Sequence, residues 1–329
     1  MGGAPIYCPD MHIAQFRYLL QPESTISIPA LSRGHIIRGA FGQSLKRLVC
    51  TDYHDTCMTC SVKDNCPYHL VFSPTMLTSA RRNRDTPRGF VIKPPLGERE
   101  VFTKDEPLTL SIVLVGNRVR AHPWVLVALQ AMGHAGIGPR RGRFTIRDIL
   151  AVRDSEEISI YDHHTRMVIN TSLDITKKQI EEKVQRMSHD TITLEFLTPT
   201  RIKFNPTGEK GHSQVVRIPA FHHLMRRLRD RINALSIAYG PGPLKIDFKE
   251  FGNRAESVQT VDHALKWVEI KRKSRSQSVW HDQSGFTGMI TYQGDLAPFL
   301  PFLVWGEYLH VGEDAVFGNG WYRIRARYI

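Results

Sequence analysis

Apolar and polar residues alternate through 286–292, with Phe286, Gly288, Ile290 and Tyr292 facing one way and Thr287, Met289 and Thr291 the other. That two-residue period predicts a strand. Asp295 then stands where it could cap a short helix carrying Leu296, Phe299, Leu300, Leu303 and Val304, ended by Gly306. Pro301 does not fit deep inside a regular helix, so this element starts late or kinks. A second strand is predicted over 308–311 and a last one over 321–324, with Gly312, Gly318 and Gly320 in the loop between them.

The same periods organise the rest of the chain. Residues 13–20 read as a strand, and 34–50 as a helix with Ile36, Ile37, Ala40, Phe41, Leu45, Leu48 and Val49 on its apolar face. Gly39 and Gly42 would weaken that helix in isolation but permit close packing on a sheet. Strands follow at 90–92 and 108–115, then a helix at 123–132 with Pro123 in its first turn, and a strand at 144–150. Strand, helix, two strands, helix and strand is the split βαβ order of a ferredoxin-like domain. The charged stretch 153–190, helical over 177–187, reads as a connection.

Then the order begins again. A strand at 191–196 runs on as a basic extension to Phe204, and Leu224, Leu228, Ile232 and Leu235 mark a helix by their spacing. The expected fold class is α+β: two tandem ferredoxin-like domains, 1–152 and 191–329, joined by 153–190. A basic groove is expected where the two sheets meet.

Composition narrows the partners. A length of 329 residues suits two domains, and 41% hydrophobic residues suffices for their cores. No apolar run approaches a membrane span, and the start of the chain lacks a basic-then-apolar leader, so the expected location is the cytoplasm. Lys and Arg number 44 against 32 Asp and Glu, a formal charge of +12. The cations cluster at Arg81–Arg84, at Arg140, Arg141 and Arg143, at Arg226–Arg231, and at Lys271, Arg272, Lys273 and Arg275. Arg38, Lys46 and Arg47 add a basic flank to the first helix. Such stripes fit a polyanion, most simply a nucleic acid, although any one of them could be a solvated face.

Four of the five cysteines fall in one short window, Cys50, Cys57, Cys60 and Cys66, spaced C-x6-C-x2-C-x5-C. Disulfides are rare in a cytoplasmic chain, and a C-x2-C turn places two thiolates on one metal. Four sulfurs with no spare position suit a closed, structural zinc site, with His54 or His69 able to replace one of them. Free thiols gathered by chance are the plain alternative. Nothing around Cys57 and Cys60 has the form of a thioredoxin turn. Cys8 stands apart.

The chain's end carries a longer pattern: Gly285-Phe286-Thr287-Gly288, Tyr292 to Leu296, Gly306 to Gly312 with His310-Val311-Gly312, and Phe317-Gly318-Asn319-Gly320. This resembles the C-terminal signature of the CRISPR-associated pre-crRNA processing endoribonucleases of the RAMP superfamily. Arg38-Gly39-Ala40-Phe41-Gly42 is similar to the start of that family's first helix. One position departs: where the family usually has lysine after His-Val-Gly, this chain has Glu313, which removes a phosphate-binding cation.

The resemblance implies ferredoxin-like RNA-binding domains that bind CRISPR repeat RNA and cut precursor crRNA without a catalytic metal. The RNA's 2′-hydroxyl would attack the adjacent phosphate and leave a 2′,3′-cyclic phosphate. Histidine suits the proton transfers, with an unperturbed pKa of about 6.5. His35, at the start of the first helix, is the leading catalytic candidate, followed by His54 and His310. The RNA-binding set expected is Arg38, Lys46, Arg47, Arg140, Arg141, Arg143, Lys271, Arg272, Lys273 and Arg275, with loop glycines Gly312, Gly318 and Gly320.

Two other functions fit the same residues. One is a non-catalytic subunit that holds crRNA beside other CRISPR effector subunits. The other is a zinc-containing basic protein for ribosomal or transfer RNA. No Ser-His-Asp order, P-loop or HExxH element stands out to support a hydrolase of another kind or a nucleotide-driven enzyme.

Overall fold

The structure, a computed structural model, describes residues 6–50, 57, 59–72, 87–207, 209, 211–273 and 280–325; the side chains of 272, 273, 280 and 281 fall outside that description. The chain forms two compact units. One comprises Met11–Ile175 with Ile237–Pro241, the other Met1–Asp10, Thr176–Ser236 and Gly242–Ile329. The stretch expected as a connection, 153–190, is therefore divided at residue 175. No described helix is long and apolar enough to cross a membrane.

The first unit runs β1 (His12–Pro22), α1 (Arg33–Val49), α2 (Pro67–Phe72), β2 (Phe90–Lys93), β3 (Leu108–Val115), α3 (His122–Ala135), β4 (Phe144–Arg153) and β5 (Glu156–Ser159). Its sheet is antiparallel in the order β2-β3-β1-β4-β5, with residues 174–176 also pairing to β1. Without β5, that is the strand order of the split βαβ arrangement. Alternation places Phe16, Tyr18 and Leu20 of β1 on the core side, where Phe16 sits opposite Ile112 and Ala151. Ile37, Phe41 and Leu45 of α1 and Val125, Leu129 and Met132 of α3 close that face.

Within this core His122 stacks on Phe16, the ring centroids 3.8 Å apart and the planes 14° from parallel. Its Nε2 finds no hydrogen-bond partner among the described residues. Burial pulls the imidazole down to about 4.

The second unit runs α4 (Lys177–Val184), β6 (Thr191–Thr200), β7 (Ile202–Phe204), β8 (Gln214–Val216), α5 (Phe221–Tyr239), α6 (Phe248–Glu256), β9 (Gln259–Val268), β10 (Lys271–Lys273), β11 (Trp280–Asp282), β12 (Gly285–Gln293), α7 (Leu300–Leu309) and β13 (Tyr322–Arg325). The order β9-β12-β6-β13 repeats the first unit's plan. Leu194 of β6 sits between Ile290 of β12 and Ile324 of β13. Thr176 and Gln179 start α4 with a reciprocal capping box. In the basic stretch that opens at Lys271, β10 pairs antiparallel with β11.

Three expectations near the chain's end are corrected. The helix starts at Leu300, with Pro301 in its first turn, so Asp295 is no cap; its carboxylate pairs with Arg254 at 2.9 Å. Residues 308 and 309 are the last turn of α7, and no strand forms over 308–311. Gly306 does not end the helix. A Cβ there would lie 2.0 Å from the Tyr322 hydroxyl, which donates to the Leu303 carbonyl at 2.6 Å. The glycine is a notch for the tyrosine of β13.

Two outcomes follow from this packing. Gly306→Ala should destabilise the protein by about 1–3 kcal/mol through overpacking. Adding Tyr322→Phe, which deletes the hydroxyl in the way, should recover part of that loss in a denaturation cycle. For His122 the folded pKa lies below the unfolded value of about 6.5. The unfolded chain therefore gains a proton first as pH falls. Stability is unaffected by this group above about pH 6.5 and declines from there to about pH 4, by about 3 kcal/mol in all. His122→Phe should flatten that part of the profile relative to the parent in urea titrations.

Candidate functional site

In the first unit, a buried arginine fixes the start of α1. Arg33, 2% exposed, donates from one terminal nitrogen to the carbonyls of Pro95 and Gly97 at 2.9 and 2.8 Å, and from the other to Arg99. Its guanidinium also lies 5.7 Å from the Phe102 ring centre. No local pattern signals this clamp, because a lone arginine beside Gly34 looks like any surface cation. Two residues on, His35 is 6% exposed. Arg38 and Lys46 are partly exposed and Arg47 fully so. The Arg38 guanidinium sits over the Phe72 ring at 5.4 Å.

Residues 136–143, which carry the Arg140–Arg143 cluster, form a tight turn. Ile137 and Gly142 exchange two backbone hydrogen bonds of 2.9 Å, and Gly136, Gly138 and Arg141 take positive φ. Arg143 is tied to Ser24, whose hydroxyl accepts from its amide at 2.9 Å. Arg140, Arg141 and Arg143 are exposed, and none makes an ion pair among the described residues. Three uncompensated guanidiniums on a stiff turn suit phosphate contacts.

In the second unit, the glycine loop after α7 is built from backbone packed on backbone. His310 ends α7 with φ of 62° and is wholly buried; its Nδ1 lies 3.1 Å from the Asn319 carbonyl and its ring stacks parallel to Trp321. Gly312, Gly318 and Gly320 all have positive φ. A Cβ on Gly312 would lie 2.4 Å from the Arg201 carbonyl oxygen, and one on Gly320 1.8 Å from that of Val311. The amides of Gly318 and Gly320 donate to Ala315 and Pro199. These glycines answer a steric need of the fold.

Glu313 lies beside two cations of the β6–β7 extension. Its carboxylate is 2.8 Å from Lys203 Nζ and 3.3 Å from Arg201 Nε, while Arg201 also reaches Asp282 at 3.1 Å. Nearby, Phe204 packs on His223 with centroids 4.3 Å apart, His222 and His223 lie 4.1 Å apart, and Arg226 stands over Phe204. Desolvation lowers both histidines, His223 to about 4, with neighbouring cations adding to the effect. Arg217 covers the Trp267 ring at 4.9 Å. The adjacent histidines behind Pro219 were a visible signal that sequence reasoning passed over. Lys271 is exposed; Arg272 and Lys273 have backbone positions only, and His54 and Arg275 lie outside the described residues.

Cys50, Cys57, Cys60 and Cys66 are unbridged and line one small cavity of about 20 Å³ with Lys63, Tyr68 and His69. Among the described residues, however, no three His, Cys, Asp or Glu side chains converge closely enough to hold a metal ion.

A family described as an N-terminal domain matches residues 11–173, and the family CRISPR-associated endoribonuclease Cas6 matches residues 194–322. A protein of Archaeoglobus fulgidus, itself uncharacterised, is 28% identical over 302 residues, covering 89% of this chain and 91% of its own. Among solved structures, a Cas6 product complex superposes with a TM-score of 0.54 at 17% identity, over 94% of this chain and 98% of that one. A partial Cas6-RT-Cas1–Cas2 complex gives 0.61 at 11% identity, over 97% of this chain and 47% of that longer one. The fold so defined is a pair of ferredoxin-like units in tandem. The likeness to the CRISPR-associated endoribonucleases of the family Cas6 rests on residues 194–322.

Glu313 stands where it would compete with a phosphate for Arg201 and Lys203. Glu313→Gln should tighten binding of a single-stranded RNA several-fold and steepen the dependence of affinity on salt, since Arg201 and Lys203 become available to phosphate. Filter binding across a salt series reads both; an unchanged slope would place the pair outside the RNA path.

Proposed function

We propose that the protein binds CRISPR repeat RNA and cleaves precursor crRNA at the repeat, using the RNA's own 2′-hydroxyl as nucleophile. The observation that carries this is the match of residues 194–322 to the Cas6 family. The uncompensated arginines of the 138–143 turn and the charge of +12 support a polyanionic substrate. In-line attack needs a positioned phosphate, a base for the 2′-hydroxyl proton, an acid for the leaving oxygen and cations for the phosphorane. Side chains can supply all four, so the reaction requires no catalytic metal. The product would end in a 2′,3′-cyclic phosphate.

His35 is our candidate for the general base, held near the Arg33 clamp at the start of α1. At 6% exposure it meets the RNA only if the first turn of α1 gives way slightly. His54 follows, and His310, buried and bonded to Asn319, comes last. Arg38, Lys46, Arg47, Arg140, Arg141, Arg143 and the Lys271–Arg275 stretch would carry the backbone of the RNA. Other CRISPR proteins are reasonable partners, given the likeness to a Cas6-RT-Cas1–Cas2 assembly, and the cytoplasm is where the transcript would be met.

A second function has its own support. Both described candidate imidazoles, His35 and His310, are buried, which favours a non-catalytic subunit that only holds crRNA. Incubation with repeat RNA in EDTA separates the two: cyclic-phosphate products mark the enzyme, and retention of intact RNA marks the binding subunit. In the first case His35→Ala should slow cleavage by about two to four orders of magnitude with affinity nearly unchanged. A 2′-deoxy substitution at the scissile nucleotide should abolish cleavage. Cleavage of that deoxy substrate would rule out the mechanism, and full activity in His35→Ala would pass the base's role to His54.

A further inference from the structure

We propose that the chain carries a structural zinc ion whose four cysteine ligands, Cys50, Cys57, Cys60 and Cys66, fasten the end of α1 to the start of α2. The argument begins with where each sulfur stands. Cys50 is the residue that ends α1, its amide donating to the Lys46 carbonyl at 2.9 Å before the chain turns to extended backbone. Cys66 immediately precedes α2, and its carbonyl accepts from the amide of Leu70. Cys57 and Cys60 belong to the segment between, where the Lys63 amide folds back on the Cys60 carbonyl at 3.3 Å. Four side chains from three places in the chain thus line a single cavity. At about 20 Å³ it has room for one body the size of a water molecule or a metal ion.

The described residues of that segment are poorly buried. Among the described residues from 57 to 66 none is buried, and Val62 is 55% exposed. Its described backbone bonds are short-range turns, such as Asn65 to Val62 and Cys66 to Lys63. A stretch that buries no apolar side chain gains no hydrophobic stabilisation. Metal coordination supplies the missing term, since binding energy at such a site is folding energy. Four thiolates favour zinc over the hard cations, and a closed set of four leaves no position for catalysis. The thiols do not yet stand at coordination distance, so binding must draw the half-buried side chains inward and release their protons to solvent.

The consequence reaches α1. Tyr68 stacks on Phe72 of α2, with centroids 5.3 Å apart, and Phe72 meets Phe41 at 5.0 Å. The Phe72 ring also fills the space beside Gly42, where a Cβ would lie 3.1 Å away. Arg38 rests over the same ring. The clamp therefore steadies α2, and α2 steadies the basic flank of α1.

The test reads metal and thiols and uses no RNA, so its failure leaves the proposed enzymology untouched. Full-length protein purified without chelator should carry about one zinc per chain by elemental analysis. Four thiols should resist a disulfide reagent in the native protein and become reactive once a chelator has removed the metal. Cobalt exchange should give the intense visible absorption of a tetrahedral thiolate site. Cys57→Ser and Cys66→Ser should each lose the metal, while Cys8→Ser, at a buried position in the other unit, should keep it. Because a variant could fail by misfolding, metal content of the parent decides first. Metal-free protein with promptly reactive thiols, a disulfide among the four, or full zinc retention in Cys50→Ser would each overturn the proposal.

Discussion

Val311 and Gly320 meet backbone to backbone, the amide of Val311 donating to the Gly320 carbonyl at 3.0 Å with no room between them for a side chain. Around this contact the second unit is tied together. The Gly320 amide donates to Pro199, the Glu313 amide to Arg201, and Thr198 takes both the Trp321 amide and the Gly318 carbonyl on its hydroxyl. The end of the central strand β6, the end of α7 and the start of β13 are thereby fixed to one another. A glycine-rich loop is usually read as freedom. Here the glycines remove it, because only a residue without Cβ lets three backbone segments close up.

How much of this could be seen in the sequence follows from what each residue responds to. Alternation found β1, β3, β6 and β12, since each has one face on a core. It failed at Tyr308–Val311, where β-favouring residues close a helix that is buried almost all round and so shows no period. Gly306 misled for a related reason: its partner, the Tyr322 hydroxyl, lies sixteen positions away and leaves no local trace. β9 was missed because it is exposed along most of its length, and α6 because it is only nine residues long.

The candidate sites divide in the same way. Cysteine spacing is local, so the four-sulfur cluster was legible, although the distances between the thiols were not. The charge clusters were legible as composition, but not which cations are already taken. Arg201 and Lys203 face Glu313, whereas Arg140, Arg141 and Arg143 stay uncompensated among the described residues. The Arg33 clamp and the Phe204–His223 cluster depend on contacts across more than fifteen residues of chain, beyond the reach of any spacing rule.

The second unit is discontinuous in the chain, and that has a consequence for the order of its assembly. Trp305, with no exposed surface, donates its indole N–H to the carbonyl of Pro9, and Tyr7 accepts from the Lys245 amide. Pro9 and Trp305 are 296 positions apart, with the whole of 11–175 between them. At a synthesis rate of about 5–20 residues per second, the strap around Pro9 waits roughly 15–60 s for its tryptophan. Vectorial synthesis can shape the first unit early, but the second cannot be completed until α7 has been made. Closing it is a long-range recapture of peptide made nearly three hundred residues earlier.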